Sequence, residues 1–262
     1  MNQHHRTVLI VHATGSQGVI KLMNKLFFKT IFAVLLILPL VPPLSSKAEN
    51  RHDQYLIMVD PAHGGQDKGV KLSGKLYEKD VTLAIAGLIK DELGRSENVK
   101  VRLTRSADRD ISISDRVKMI KKSGADMFIS LHVNAGFGKN SSGFEVYFPG
   151  FKLSSTGKSA SQEISKDMIK TEYINDSVRF AKIILRNMGK IFPRKDRGLR
   201  SAPVPVLDGA AIPAVVLETG FAANVKDRKQ LMDRTTQKSI AGAVAQSIRE
   251  YFDRSPQIRQ SD

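Results

Sequence analysis

The chain predicts an α/β fold: a single-domain layered sandwich whose mostly parallel or mixed central sheet is flanked by helices. Three observations carry that expectation. Short apolar runs at Leu56 to Val59, Met127 to Leu131 and Ala214 to Leu217 read as buried strands. Segments between them repeat apolar residues every three or four positions, as amphipathic helices do. The two kinds of segment alternate along the chain, which is how helices come to cover a largely parallel sheet. With 262 residues, 41% of them hydrophobic, the chain can bury one sizeable core, and neither an internal repeat nor a second core is visible.

Taken in order, residues 49–54 form a polar lead-in to a single domain expected over 55–253. The first strand runs into Asp60-Pro61, expected as a turn, and delivers His63 at its end beside Gly64-Gly65. Lys68 to Leu76 reads as a glycine-bearing loop. Glu78-Lys79-Asp80 opens a helix whose apolar positions Leu83, Ile85, Ala86, Leu88, Ile89 and Leu93 last until Gly94, so Glu78 falls in its first turn. Val99 to Leu103 alternates as a strand, and Ser112 to Lys122 is a basic helix with Ile113, Val117 and Ile120 on one face. The Met127 strand ends in His132. Phe144 to Phe148 is a further strand, stopped by Pro149-Gly150.

Between Phe151 and Tyr173 the composition shifts to Ser, Lys and Gly, and a loop or short-helix insert is expected over 151–173. Helix resumes from about Asn175 to Lys190, followed by a basic loop, Arg194 to Arg200, that leads to Val204–Leu207. Ala214 to Leu217 ends in Glu218-Thr219-Gly220. Thr235 to Phe252 is the last helix, apolar or small at Ile240, Ala243, Val244, Ser247, Ile248 and Phe252, and 254–262 is a tail.

The amino terminus reads as an export signal over 23–48. Lys25 and Lys29 flank its start, Thr30 to Leu40 is almost wholly apolar, and Ser46-Lys47-Ala48 offers small residues for cleavage. The apolar core is short of the roughly 20 residues that a spanning helix needs, so no stable membrane insertion is expected after cleavage. Residues 1–22 have no part in such a signal, which makes Met23 the expected start and 1–22 an upstream extension. Export, to the periplasm or to the cell wall where no outer membrane exists, is the expected localisation. The net charge is +15; five of the 41 Lys and Arg precede Glu49 with no acid among them, leaving 36 against 26, or +10, in the rest. A basic domain suits a polyanion. Nucleic acid is set aside, because the leader and the lack of Trp or of an aromatic-basic patch count against it. The chain has no cysteine, so any metal must be held by His, Asp and Glu.

Downstream of the leader only His52, His63 and His132 remain, and the last two follow apolar runs. Two histidines and one carboxylate are a known ligand set for catalytic Zn2+. Glu78 is the best-placed carboxylate, with Asp60, Asp67 and Asp80 as competitors. Such a site needs a further carboxylate that takes a proton from water and passes it on, and Glu218, ending a core strand, is the candidate. Asn134 is a candidate for orienting substrate or His132, and Gly64 and Gly65 for lying against a ligand.

Five ordered motifs then give a resemblance. Asp60-Pro61-Ala62-His63-Gly64-Gly65, Glu78-Lys79, Thr104-Arg105 through Asp108 to Arg116, Ala125-Asp126 through Ser130-Leu131-His132-Val133-Asn134-Ala135, and Pro213 through Leu217-Glu218-Thr219-Gly220-Phe221 to Asn224 resemble the zinc-dependent N-acetylmuramoyl-L-alanine amidase family of the Amidase_3 type. Ala62 replaces a glycine of the family pattern and Ile113 a leucine. The resemblance implies that His63, Glu78 and His132 bind zinc, that Glu218 is the catalytic acid/base, and that the substrate is peptidoglycan, cut between muramic acid and the first L-alanine of the stem. It also implies a monomer, with an activator protein at the cell envelope if the 151–173 insert gates the site as in division-associated relatives. Arg105, Asp108 and Arg116 are expected to form a structural ion-pair network, with positioning of substrate as the other reading. A catalytically idle, basic wall-binding domain is the alternative, although such a domain would normally have lost one of these residues.

Overall fold

Apolar runs long enough to be covered on both faces form the middle of the sheet. In this computed structural model, which describes residues 54–150, 160–193, 195–208 and 210–258 (without the side chains of 160–170 and 254–258), the strands are β1 (Tyr55–Pro61), β4 (Val99–Leu103), β5 (Met127–Asn134), β6 (Phe144–Pro149), β7 (Asp196–Ala202) and β8 (Ala214–Phe221). The upstream extension, the leader and nearly all of the lead-in expected from the sequence lie outside the described residues, as do 151–159 of the insert and the end of the tail. The sheet order is β4-β1-β5-β8-β6-β7. All neighbours are parallel except β6 and β8, which are antiparallel. The three apolar runs occupy adjacent central positions. β4, on one edge, shows the alternation of a half-covered strand, with Lys100 and Arg102 exposed.

Among the described residues, five helices cover this sheet: α1 (Glu78–Leu93), α2 (Ile113–Ser123), α3 (Ala160–Ile191), α4 (Val225–Met232) and α5 (Arg234–Ile258). On one face Ile57, Val59, Met127, Ile129, Leu131, Val215 and Leu217 pack with Val81, Ile85 and Ile89 of α1, Phe180, Ile184 and Met188 of α3, and Ile240, Val244 and Ile248 of α5. The opposite face is covered more sparingly, by Ile120 of α2 and by Val206 and Leu207 of a 3-10 turn, Pro205–Leu207, over Met58, Phe128 and Val216. Because side chains alternate along a strand, that second face continues upward as Asp60, Ser130, His132 and Glu218. Apolar cover ends there and polar chemistry begins.

Several expectations need correction. His132 and Glu218 lie inside their strands, because backbone pairing between β5 and β8 continues past the apolar runs to Asn134 and Phe221. Asp60-Pro61 is the end of β1 and not a turn; both pair with β5. Lys68 to Leu76 contains half of a small antiparallel ribbon, β2 (Lys71–Ser73) with β3 (Leu76–Tyr77). The basic loop over Arg194 to Arg200 is largely β7, an edge strand whose charged residues need no alternation of apolar ones. Helix α3 is continuous from Ala160, so the described part of the expected insert is its first turns; no Pro or Gly interrupts the segment before Gly189. Ile113 does not join the core face of α2 and is largely exposed, while Arg116 takes a buried place there. Helix α4 was not anticipated. Asn224 caps it, its side chain accepting from the amides of Lys226 and Asp227. α5 runs on to Ile258, into the expected tail.

Candidate metal centre

A turn with a left-handed residue aims the first imidazole. His63 has φ of 61°, a conformation that a residue with a Cβ adopts only when its surroundings hold it there. Two arginines do so. Arg116 donates to the carbonyls of Pro61 and His63, and Arg105, fully buried, donates to those of Pro61, Ala62 and Lys79. The Arg116 guanidinium is neutralised by Asp60, 1% exposed, which also accepts from Thr104 and from Ser130. Asp108 accepts from Lys79 at 2.6 Å and from the Gly65 amide at 2.7 Å. These charges therefore fix the loop that carries His63.

Helix α1 supplies the carboxylate. Asp80 accepts from the Tyr77 amide and so caps the helix start, which leaves Glu78 as its first residue, favoured there as an anion by the helix dipole. Its carboxylate is 2% exposed and fully engaged. Oε1 accepts from the Val133 amide at 2.9 Å and lies 3.1 Å from His132 Nδ1, and Oε2 accepts from the Val70 amide at 3.1 Å and lies 3.1 Å from His63 Nε2. The imidazole rings stand nearly perpendicular, 5.4 Å between centroids. One donor atom from each of His63, Glu78 and His132 lies within 4.8 Å of the others, so the three can converge on one ion. Among the competitors for this role, Asp60 and Asp80 are committed to the contacts above. Asp67 instead bonds His63 Nδ1 at 2.8 Å, which directs Nε2 toward Glu78.

The electrostatics follow from this packing. Burial opposes charge on both partners, but the histidine contacts outweigh it for Glu78, whose pKa falls to about 2; for His63, Glu78 and Asp67 outweigh burial and lift it to about 9. Glu218 is the contrary case. Burial, reinforced by the nearby Glu78 and Glu145 carboxylates, pushes it up to about 7 against the attraction of the two histidines. Its Oε2 is the buried side-chain oxygen or nitrogen that finds no hydrogen-bond partner among the described residues. The register places Glu218 directly beside His132, and Thr219 Oγ1 donates to the His132 carbonyl. A carboxyl that titrates near neutrality with a bare oxygen beside a ligand cluster is equipped to move a proton.

The other expected residues have different surroundings. Asn134 Oδ1 accepts from the Gly136 amide and shapes the turn after β5. Gly64 and Gly65 give their amides to Asp67 and Asp108, and a Cβ on either would collide with Arg109 or Asp110, so their lack of a side chain serves the packing of the His63 loop. Gly69 keeps the centre uncrowded. A Cβ there would stand 2.5 Å from Glu78 Oε2 and 2.7 Å from His63 Cδ2. Sequence reasoning passed over Gly69; a glycine nine residues before Glu78 is no signal without the fold. Glu145 was also missed. It pairs with Glu218 across β6 and β8, is 3% exposed, and lies 2.6 Å from Arg197 Nε.

The family model described as N-acetylmuramoyl-L-alanine amidase matches residues 57–250. The amidase AmiC of Escherichia coli O6:H1 is 30% identical over 81% of this chain and 57% of its own length, so the chain spans little more than half of that relative. The catalytic domain of CwlV, an N-acetylmuramoyl-L-alanine amidase from Bacillus (Paenibacillus) polymyxa, superposes with a TM-score of 0.62 at 30% identity, covering 76% of this chain and 99% of the domain. The CwlD amidase of Clostridioides difficile, solved in complex with the GerS lipoprotein, gives 0.62 at 25% identity over 76% and 99%.

Proposed function

The chain belongs to the N-acetylmuramoyl-L-alanine amidase family, and from that premise we propose that it is an exported zinc hydrolase cutting the amide between N-acetylmuramic acid and the first L-alanine of the peptidoglycan stem. The observation that carries the chemistry is the orphaned Oε2 of Glu218 beside the cluster of His63, Glu78 and His132. Two imidazoles and a carboxylate suit Zn2+, and Asp67 fixes the tautomer that leaves His63 Nε2 free to coordinate. The bound ion supplies Lewis acidity, polarising the scissile carbonyl and acidifying water.

The protein's own part is proton management. Glu218, ionised, takes a proton on Oε2 from the attacking water as the new C–O bond forms. It then gives that proton to the alanine nitrogen as the C–N bond breaks, so the products are a lactyl carboxylate and a peptide with a free amino terminus. Holding the carboxyl near 7 suits both halves of that transfer. Because neither a ligand nor Glu218 is missing, an idle wall-binding domain is disfavoured.

Export rests on the leader pattern, whose residues lie outside those described. No helix among the described residues is long and apolar enough to cross a membrane. An activator at the envelope belongs to the same proposal, supported by the CwlD relative, which is in complex with a lipoprotein. The net positive charge of the chain attracts it to the anionic wall, and the working unit is a monomer. Digestion of purified sacculi by the protein of residues 49–262 tests the proposal. Solubilisation should stop with a chelator and return with zinc. Chelator-insensitive digestion, or none with zinc and an envelope fraction present, would overturn it.

A further inference from the structure

The row of polar side chains that includes His132 and Glu218 continues to the far edge of the sheet. Glu145 is the register partner of Glu218 on β6, so the two project from the same face. Its buried carboxylate accepts from the Tyr147 hydroxyl on Oε2 at 2.8 Å, while Oε1 takes Arg197 Nε at 2.6 Å and lies 3.4 Å from Arg200. One buried carboxylate requires one cation; two converge on it. The edge strand thus presents more positive charge than Glu145 neutralises. Arg197 bonds Glu145 through Nε alone and stacks on Phe221 at 4.9 Å, so both its Nη groups make no hydrogen bond among the described residues. Arg200 is about half exposed. The neighbouring Asp196 accepts from the Gly198 amide at 2.6 Å and makes no ion pair with either arginine among the described residues.

A planar fork whose Nη groups make no hydrogen bond among the described residues, anchored from behind by Nε, is the geometry that receives a carboxylate. We propose that Arg197 and Arg200 form a carboxylate-binding subsite that selects stem peptides with a free carboxylate on their second residue. The proposal rests on the amidase activity proposed above. Strands lie about 4.8 Å apart, so guanidiniums that reach from β7 to Glu145 on β6 sit between one and two strand spacings, about 5 to 10 Å, from Glu218. An extended peptide advances about 3.3 Å per residue. A leaving peptide whose first nitrogen meets Glu218 therefore brings its second residue to this edge, and Glu145 holds the fork in place without touching substrate.

The test uses two soluble muramoyl peptides that differ only in carrying a carboxylate or a carboxamide on the second residue. The zinc-loaded wild type should show a kcat/KM about ten- to a hundredfold higher for the carboxylate, the range for a hydrogen bond to a charged group, with the difference mainly in KM. Arg200→Gln, which leaves Arg197 on the buried Glu145, should shrink that ratio several-fold, and Arg200→Lys should restore part of it. Circular dichroism and zinc content matching the wild type confirm that the variants are folded and loaded. Equal turnover of both peptides by the wild type, or an unchanged ratio in Arg200→Gln, overturns the subsite and leaves the amidase reading intact. Failure of the wild type to cut either peptide or any sacculus overturns the amidase reading itself.

Discussion

Replacing Glu218 by Gln should make the metal-free protein more stable while removing its activity, because the same burial that readies the carboxyl for proton transfer works against folding. Holding it at about 7, where its ordinary value is 4.5, costs the folded anion about 3 kcal/mol relative to the unfolded chain. The sign follows from proton binding. Below pH 4.5 the group is protonated in both states and the penalty is absent. Between 4.5 and 7 only the folded state keeps its proton, so stability falls as pH rises, and above 7 the full penalty persists. Glutamine carries no charge and escapes it. Urea unfolding of chelator-treated wild type and Glu218→Gln, at pH 4.5 and pH 8, should show the wild type losing about 3 kcal/mol more than the variant between the two conditions. Zinc-loaded Glu218→Gln should bind the ion normally and lose about 10²- to 10⁴-fold in kcat. Parallel pH profiles of stability would refute the burial argument, and normal turnover would refute the catalytic role.

Other residues give distinct expectations. Asp67→Asn removes the carboxylate on His63 Nδ1 and should weaken zinc binding about 10- to 100-fold, measured by competition with a chromophoric chelator. Gly69→Ala sets a Cβ against Glu78 and His63 at a φ of +62° and should lower zinc affinity more than it lowers the melting temperature. Arg116→Met leaves Asp60 buried without its cation and should destabilise the protein by about 3 to 5 kcal/mol in urea, with His63 losing its backbone restraint.

The parts of the fold that sequence made legible are those in which burial and backbone geometry agree. β1, β5 and β8 are covered on both faces over their first halves, so each opens with a mostly apolar run, and α5 shows its buried stripe residue by residue. Elements that depend on partners were obscure. β7 is a charged edge strand, anchored to its neighbour by backbone pairing and to Glu145 by Arg197. α4 is short and mostly polar; its buried Asp227 accepts from the amides of Gly143 and Phe221, a role that only the assembled loops create. His63, His132 and Glu218 stood out because each comes after an apolar run that gives way to polar residues, and Glu78 because it opens a helix. What could not be read was their arrangement: that Glu78 bridges both imidazoles, that Asp67 stands behind His63 instead of competing for the ion, and that Asp60 neutralises the arginine shaping the loop. Proline in a central strand normally signals a boundary, which hid the place of Asp60-Pro61 in β1.

End-group analysis of a sacculus digest tests the central claim most directly. The zinc-loaded protein should release stem peptides with a new free amino-terminal alanine, leaving muramic acid with an unsubstituted lactyl carboxylate, and Glu218→Gln should release them about 10²- to 10⁴-fold more slowly. New amino termini elsewhere in the stem, or reducing sugar ends in place of free alanine, would contradict it.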